Sequence, residues 1–203
     1  MVAGISTTLP LPSLAAIVLA GGQGKRMGYQ EKGLIQLKQR ALLDYVLDKL
    51  RPYSEQIVIS ANRALEQYQQ FGFPIVQDLP TYSQRGPLAG IYSAAASLST
   101  EVEFIQVLPC DTPYLPHDLV LQFYQYLQAN PDKELVMAVT SNKEHPVIMQ
   151  CRPSVIAKLK VYLDDPQILN RVMSFIKRCD YGTIEFDDTE LFINMNDPSL
   201  LQG

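Results

Sequence analysis

The chain has 203 residues, 47% of them hydrophobic, which points to one compact unit and excludes wholesale disorder. Lys+Arg 17 against Asp+Glu 21 gives a formal charge of -4, the wrong balance for a protein that coats nucleic acid. Any anion it binds must be gripped locally.

Residues 1–13 read as a loose Ser/Thr/Pro-rich tail and 14–203 as a single domain. The tail lacks the basic start of a signal peptide, and the apolar run Leu14 to Ala20 is far shorter than the ~20 residues of a membrane span, so no membrane association is expected. From Leu14 onward, apolar runs bounded by turn residues alternate with helix-like segments. Strands are expected at Leu14 to Ala20, Gln56 to Ser60, Phe73 to Gln77, Phe104 to Leu108, Leu135 to Val139 and Pro146 to Cys151. Helices are expected at Leu42 to Leu50, Arg63 to Phe71, Leu88 to Leu98, His117 to Gln128 and Pro153 to Tyr162. The first places Leu42, Val46, Leu47 and Leu50 at helical spacing. A helix near Ile168 to Arg178, a strand near Thr183 to Phe186 and a short helix after Pro198 complete the chain. Such alternation is the signature of an α/β protein, a three-layer doubly wound and mostly parallel sheet.

The first strand opens directly into GGQGKRMG, Gly21 to Gly28. Glycines after a strand let the backbone approach a ligand closely and turn its N–H groups toward anionic oxygens. Glycine also makes ordinary turns, but here Lys25, Arg26 and Lys32 stand against Glu31 alone, inside an acidic protein. The natural ligand is a polyanion. A Walker A loop is excluded, because Leu19 stands where its first glycine belongs and Arg26 replaces the Ser/Thr. The dinucleotide fingerprint G-x-G-x-x-G also fails, since Met27 follows Gly22-x-Gly24-x-x.

Asp78 ends the third strand and Asp111 follows the fourth, so both lie at the carboxyl edge that the glycine loop shares. A hard cation such as Mg²⁺ takes one or two such carboxylates and completes its shell with phosphate and water. An Asp in this position also serves as a turn or cap residue, and Thr112-Pro113 keeps that alternative open for Asp111. His117 and His145 each sit beside a proline without a partner Ser or Cys motif, which suggests structural or surface roles. Cys110 reads as a small buried filler. Cys110, Cys151 and Cys179 are widely spaced with no C-x-x-C, so no disulfide framework or local zinc knuckle is indicated, and a cytoplasmic location fits.

LAGGQGKRMG with EKGL (Glu31 to Leu34), SANR (Ser60 to Arg63), GPLAG (Gly86 to Gly90), PCDTP (Pro109 to Pro113) and FINMNDP (Phe192 to Pro198) resembles the molybdenum cofactor guanylyltransferase family, across nearly the whole chain. The resemblance implies a Rossmann-like nucleotidyltransferase fold and transfer of GMP from GTP to the terminal phosphate of molybdopterin (Mo-molybdopterin), with Mg²⁺ and release of pyrophosphate. It implies that Leu19, Gly21 and Gly22 contact the nucleotide, that Lys32 and Arg26 meet phosphates, and that Asn62 and Asp78 contact the nucleoside. Asp111 would hold Mg²⁺, Gly86 would open the GPLAG turn, and Asn194 and Asn196 would lie on the pterin side. Molybdenum-insertion and molybdoenzyme proteins are the implied protein partners.

Three positions depart from the family pattern: Glu31 replaces Asp, Lys38-Gln39 stands where Asn-Gly is usual, and Asn170-Arg171 replaces a basic pair. A cytidylyl relative typically reads LAAG in place of LAGG, where the second glycine leaves room for a purine. A nucleotide-binding subunit without catalytic activity is the rival from outside the enzymes, and pyrophosphate release separates the two.

Overall fold

A computed structural model describes residues 13–21, 31–83, 85–141, 143–168 and 170–195. The N-terminal tail, Gly22 to Gly28 with Arg26, Asn196, and the helix expected after Pro198 lie outside the described residues.

Nine strands and six α-helices are described. They are β1 (Leu14–Leu19), β2 (Gln36–Leu37), β3 (Arg40–Ala41), α1 (Leu42–Leu50), β4 (Gln56–Ser60), α2 (Leu65–Gln69), β5 (Ile75–Val76) and α3 (Pro87–Ala95). The chain continues with β6 (Phe104–Pro109), α4 (Leu119–Ala129), β7 (Leu135–Thr140), β8 (Lys143–Cys151), α5 (Ser154–Asp164), α6 (Val172–Ile176) and β9 (Tyr181–Glu185). Seven strands form one sheet in the order β5-β4-β1-β6-β8-β7-β9. All its pairings are parallel except those of β8, which runs antiparallel to β6 and β7.

β1 is a continuous apolar run because both faces of the sheet are covered. Leu14, Ala16 and Val18 pack with α1, α2 and α4, whereas Ala15 and Ile17 pack with α3, α5 and α6. The result is the expected three-layer sandwich. Most element boundaries move by a few residues. The second expected helix shrinks to α2 because Ala64, at φ 50, is left-handed and starts it late. The third expected strand pairs only at Ile75 and Val76. Two elements escape the sequence pattern altogether: β2 and β3 form a hairpin whose turn residues Lys38 and Gln39 both have positive φ, 50 and 63. That is the backbone Asn-Gly adopts readily, imposed here on two residues with side chains.

Within β8, Pro146 offers no N–H to the ladder. The register with β7 jumps there, from Met137 opposite Met149 to Ala138 opposite His145.

Candidate active site

One row of the sheet organises the site. Leu19 of β1 is level with Ser60 of β4 and Pro109 of β6, and Ser60 is level with Val76 of β5. Two residues beyond that row, at the same carboxyl edge, come Gly21, Asn62, Asp111 and Asp78. Parallel strands in register therefore deliver four of the expected residues to one crevice. Backbone hydrogen bonds extend the register past the strands, from Ala20 N to Ser60 O at 2.8 Å, Ala61 N to Val76 O at 3.0 Å and Cys110 N to Leu19 O at 3.1 Å.

On one side, Asn62 and Asp78 lock together. Asn62 Nδ2 donates to Asp78 Oδ2 at 2.9 Å, and Asp78 N donates to Asn62 Oδ1 at 2.8 Å. Ser93 Oγ of α3 accepts from Leu79 N at 2.9 Å and fixes the turn that follows. Burial pushes the Asp78 carboxyl above its ordinary range, and the Asn62 hydrogen bond partly offsets this. A Cβ on Gly21 would stand 3.3 Å from Asn62 Nδ2, so glycine permits this close approach. At Gly90 a Cβ would meet Ser60 Oγ at 2.6 Å and Leu19 Cδ2 at 3.3 Å, so α3 is seated against the row itself. Gly86, at φ 66, begins that helix in a conformation side chains disfavour.

On the other side, Asp111 is 4% exposed and both its carboxylate oxygens receive N–H donors. Lys32 Nζ lies 2.9 Å from Oδ2, and Asn194 Nδ2 lies 3.3 Å from Oδ1. These donors are side chains distant in sequence, whereas a turn-stabilising Asp would accept from its own backbone. Lys32 reaches Asp111 from a single 3₁₀ turn, Lys32–Leu34. That turn is backed by Tyr68 and Cys110, which a Cβ on Gly33 would meet at 3.0 and 3.4 Å. Beside it, Glu31 is paired with Arg63 at 2.8 Å, so the neighbouring acid is already compensated.

The Asn194 contact with Asp111 could not be read from the sequence, which links Asn194 only to the pterin side through the resemblance. Met195 N also donates to Asp111 O at 2.8 Å, tying the last described segment to the same turn. The remaining candidates behave as expected of structural groups. Cys110 is fully enclosed, and burial drives its thiol far above the range of a reactive cysteine. His117 Nε2 lies 2.9 Å from Lys49 Nζ on the α1 side of the sheet. Three large apolar side chains stay exposed close to site residues in the chain: Leu79 beside Asp78, Ile193 beside Asn194, and Tyr114 shortly after Asp111.

No group of three or more His, Cys, Asp or Glu able to hold a metal occurs among the described residues. A hard cation that borrows most of its ligands from phosphate and water needs less. Asp111 would supply the carboxylate, and Asn194, with its amide turned over, would offer its amide oxygen. The donor set therefore fits Mg²⁺ arriving with a nucleotide.

A glycine-rich sequence after the first strand, the Lys32–Asp111 pair and the Asn62–Asp78 clamp are what a nucleotidyltransferase presents to a nucleotide. Residues 16–180 match the MobA-like NTP transferase domain, and the chain belongs to that family. It is 36% identical over 188 residues to the molybdenum cofactor guanylyltransferase of Shewanella halifaxensis, covering 92% of this chain and 91% of that protein. A protein of the same name from Shewanella piezotolerans is 34% identical, with coverage of 94% and 91%. In fold the chain is similar to molybdopterin-guanine dinucleotide biosynthesis protein A from Archaeoglobus fulgidus, with a TM-score of 0.72, 21% identity and coverage of 93% and 95%. A similar likeness, TM-score 0.70 at 12% identity and coverage of 94% and 93%, extends to a CMP:2-keto-3-deoxy-manno-octonic acid synthetase complexed with CTP. No helix among the described residues is long and apolar enough to cross a membrane.

Proposed function

We propose that this enzyme transfers GMP from GTP to the terminal phosphate of molybdopterin (Mo-molybdopterin), forming the guanine dinucleotide cofactor and pyrophosphate. The observation that carries the reading is the buried Asp111, paired with Lys32 at 2.9 Å, on the strand edge that also holds the Asn62–Asp78 clamp. Relatives named molybdenum cofactor guanylyltransferase support the choice of substrates.

The nucleophile needs little activation, because a phosphomonoester with a second pKa near ~6 is largely dianionic at neutral pH. Its oxygen attacks the α-phosphorus of GTP, the bond from that phosphorus to the oxygen bridging to the β-phosphate breaks, and pyrophosphate leaves with the electron pair. No general base is required, and neither described histidine is needed as one. The obstacle is bringing two anions together. Lys32 moves from Asp111 onto phosphate, Arg26 adds a second cation from the glycine loop, and backbone N–H groups after Leu19 orient the chain of phosphates. Asp111 and Asn194 would hold Mg²⁺, which when bound supplies further neutralisation of phosphate charge. Asn62 and Asp78 receive the nucleoside, with Gly21 and Gly22 leaving space beside it. Exposed Leu79, Tyr114 and Ile193 offer apolar surface to planar rings at either end.

The deciding experiment is conversion of molybdopterin cofactor by the purified protein with GTP or CTP, following dinucleotide product and pyrophosphate. Guanine dinucleotide from GTP, with CTP failing to displace GTP at equal concentration, is the expected outcome. Product from CTP alone would transfer the assignment to the cytidylyl relatives. Nucleotide binding without pyrophosphate release would assign the chain to a binding subunit.

A further inference from the structure

The segment from Phe192 to Met195 is pinned at both ends, and Asp111 lies under the middle. Its far end is Met195, 4% exposed and packed with Leu37 of β2 and Leu42 of α1. Its near end is Phe192, 1% exposed, with Phe186 and His145 each at 5.0 Å between ring centroids. Between the two anchors Asn194 Nδ2 meets Asp111 Oδ1, and at the far anchor Met195 N donates to Asp111 O.

His145 is an unusual choice for the near anchor. It is 7% exposed on an apolar face of the sheet, where an imidazole costs free energy unless it is hydrogen-bonded. Its Nε2 lies 2.8 Å from Oγ1 of Thr140, which is 1% exposed. Both polar groups face each other across the β7–β8 hairpin, just after the register jump at Pro146. An aliphatic pair would fill the space at no polar cost. What the His–Thr bond adds is a fixed ring plane, and the ring it fixes carries Phe192.

We propose that His145, held by Thr140, is a positioning residue for nucleotidyl transfer: through Phe192 it sets where Asn194 meets Asp111. The inference rests on the reading that Asp111 takes part in the transfer. It assigns His145 no contact with substrate. Its influence passes along one covalent stretch, from Phe192 to Asn194, two residues on.

A double-mutant cycle tests this, using His145→Ala, Thr140→Val and Asn194→Ala in the full chain, each checked for a cooperative melt. Asn194→Ala and His145→Ala should each lower kcat about tenfold, with KM for GTP changed less than about twofold. Each should also weaken Mn²⁺ binding in the presence of a non-hydrolysable GTP analogue. Thr140→Val keeps the ring and removes only its hydrogen bond, so it should give a smaller loss in the same two readouts and serves where His145→Ala fails to fold. Adding His145→Ala or Thr140→Val to Asn194→Ala should cost almost nothing more. Multiplying losses would overturn the inference, as would a lowered melting temperature with kcat and Mn²⁺ binding intact. The underlying reading fails separately, if Asp111→Asn retains full activity.

Discussion

Lys32 and Asp111 are 79 residues apart in the chain, yet their charged atoms stand 2.9 Å apart and Asn194 occupies the carboxylate's other oxygen. Each oxygen of Asp111 thus has a donor, and under the proposed function Lys32 also meets phosphate when GTP is bound. Lys32→Met removes the cation from both states. Turnover should fall by about 10² to 10³, the scale seen when a charge-stabilising group is lost from an active site. Stability should also fall, by roughly 1–3 kcal/mol, because a nearly buried carboxylate loses a hydrogen-bonding partner. Pyrophosphate release and urea unfolding measure the two effects.

Asp111→Asn separates the metal role from a turn role. As a metal ligand its loss should reduce turnover by at least about 10²-fold, while GTP affinity without Mg²⁺ stays constant or improves, since a carboxylate repels triphosphate. A turn residue would show the opposite: an early melt with normal turnover per folded molecule.

Asp78 offers a pH signature. Burial raises its carboxyl pKa in the folded state, so the fold favours the protonated form and the related stability is present at low pH. That contribution is lost as pH rises through the folded value. Asp78→Asn removes the charged form, so at pH 7 the variant should unfold at higher urea than the wild type, and the difference should shrink at pH 4. Its GTP affinity should fall. Equal urea midpoints at both pH values would show that the carboxylate is well solvated.

The hairpin between β2 and β3 turns through Lys38 and Gln39, both left-handed. Substituting Asn-Gly at these positions relieves a conformation that disfavours side chains, so the paired variant should gain roughly 1 kcal/mol of stability. Turnover should not move. Thermal melting and pyrophosphate release, compared with the wild type, check both halves.

The physics also explains which parts could be read in advance. β1 was legible because both of its faces are covered, leaving an uninterrupted apolar run, and α1 because Leu42, Val46, Leu47 and Leu50 recur at helical spacing and are all buried. Asp78 and Asp111 were legible as strand-end acids. The hairpin was not, since Lys38-Gln39 carries no turn signal and only the tertiary structure holds it left-handed. Gln106 and Gln150 sit fully buried and bonded to each other at 3.0 Å, a pairing that looks like two surface residues in a linear pattern. The Asn194–Asp111 contact was hidden for a different reason. It depends on where the chain's last described segment passes Asp111, and no local periodicity encodes that.

β8 runs against its neighbours, so its beginning rather than its end reaches the carboxyl edge of the sheet. The β7–β8 hairpin tip, where Ser141 has φ 40, is therefore turned toward the crevice side, beyond Thr140 and His145. Hairpin tips tolerate insertion far better than the rows beneath them. The reversed strand therefore brings a turn, where a uniformly parallel sheet would bring only a strand end, to the carboxyl edge that carries the site.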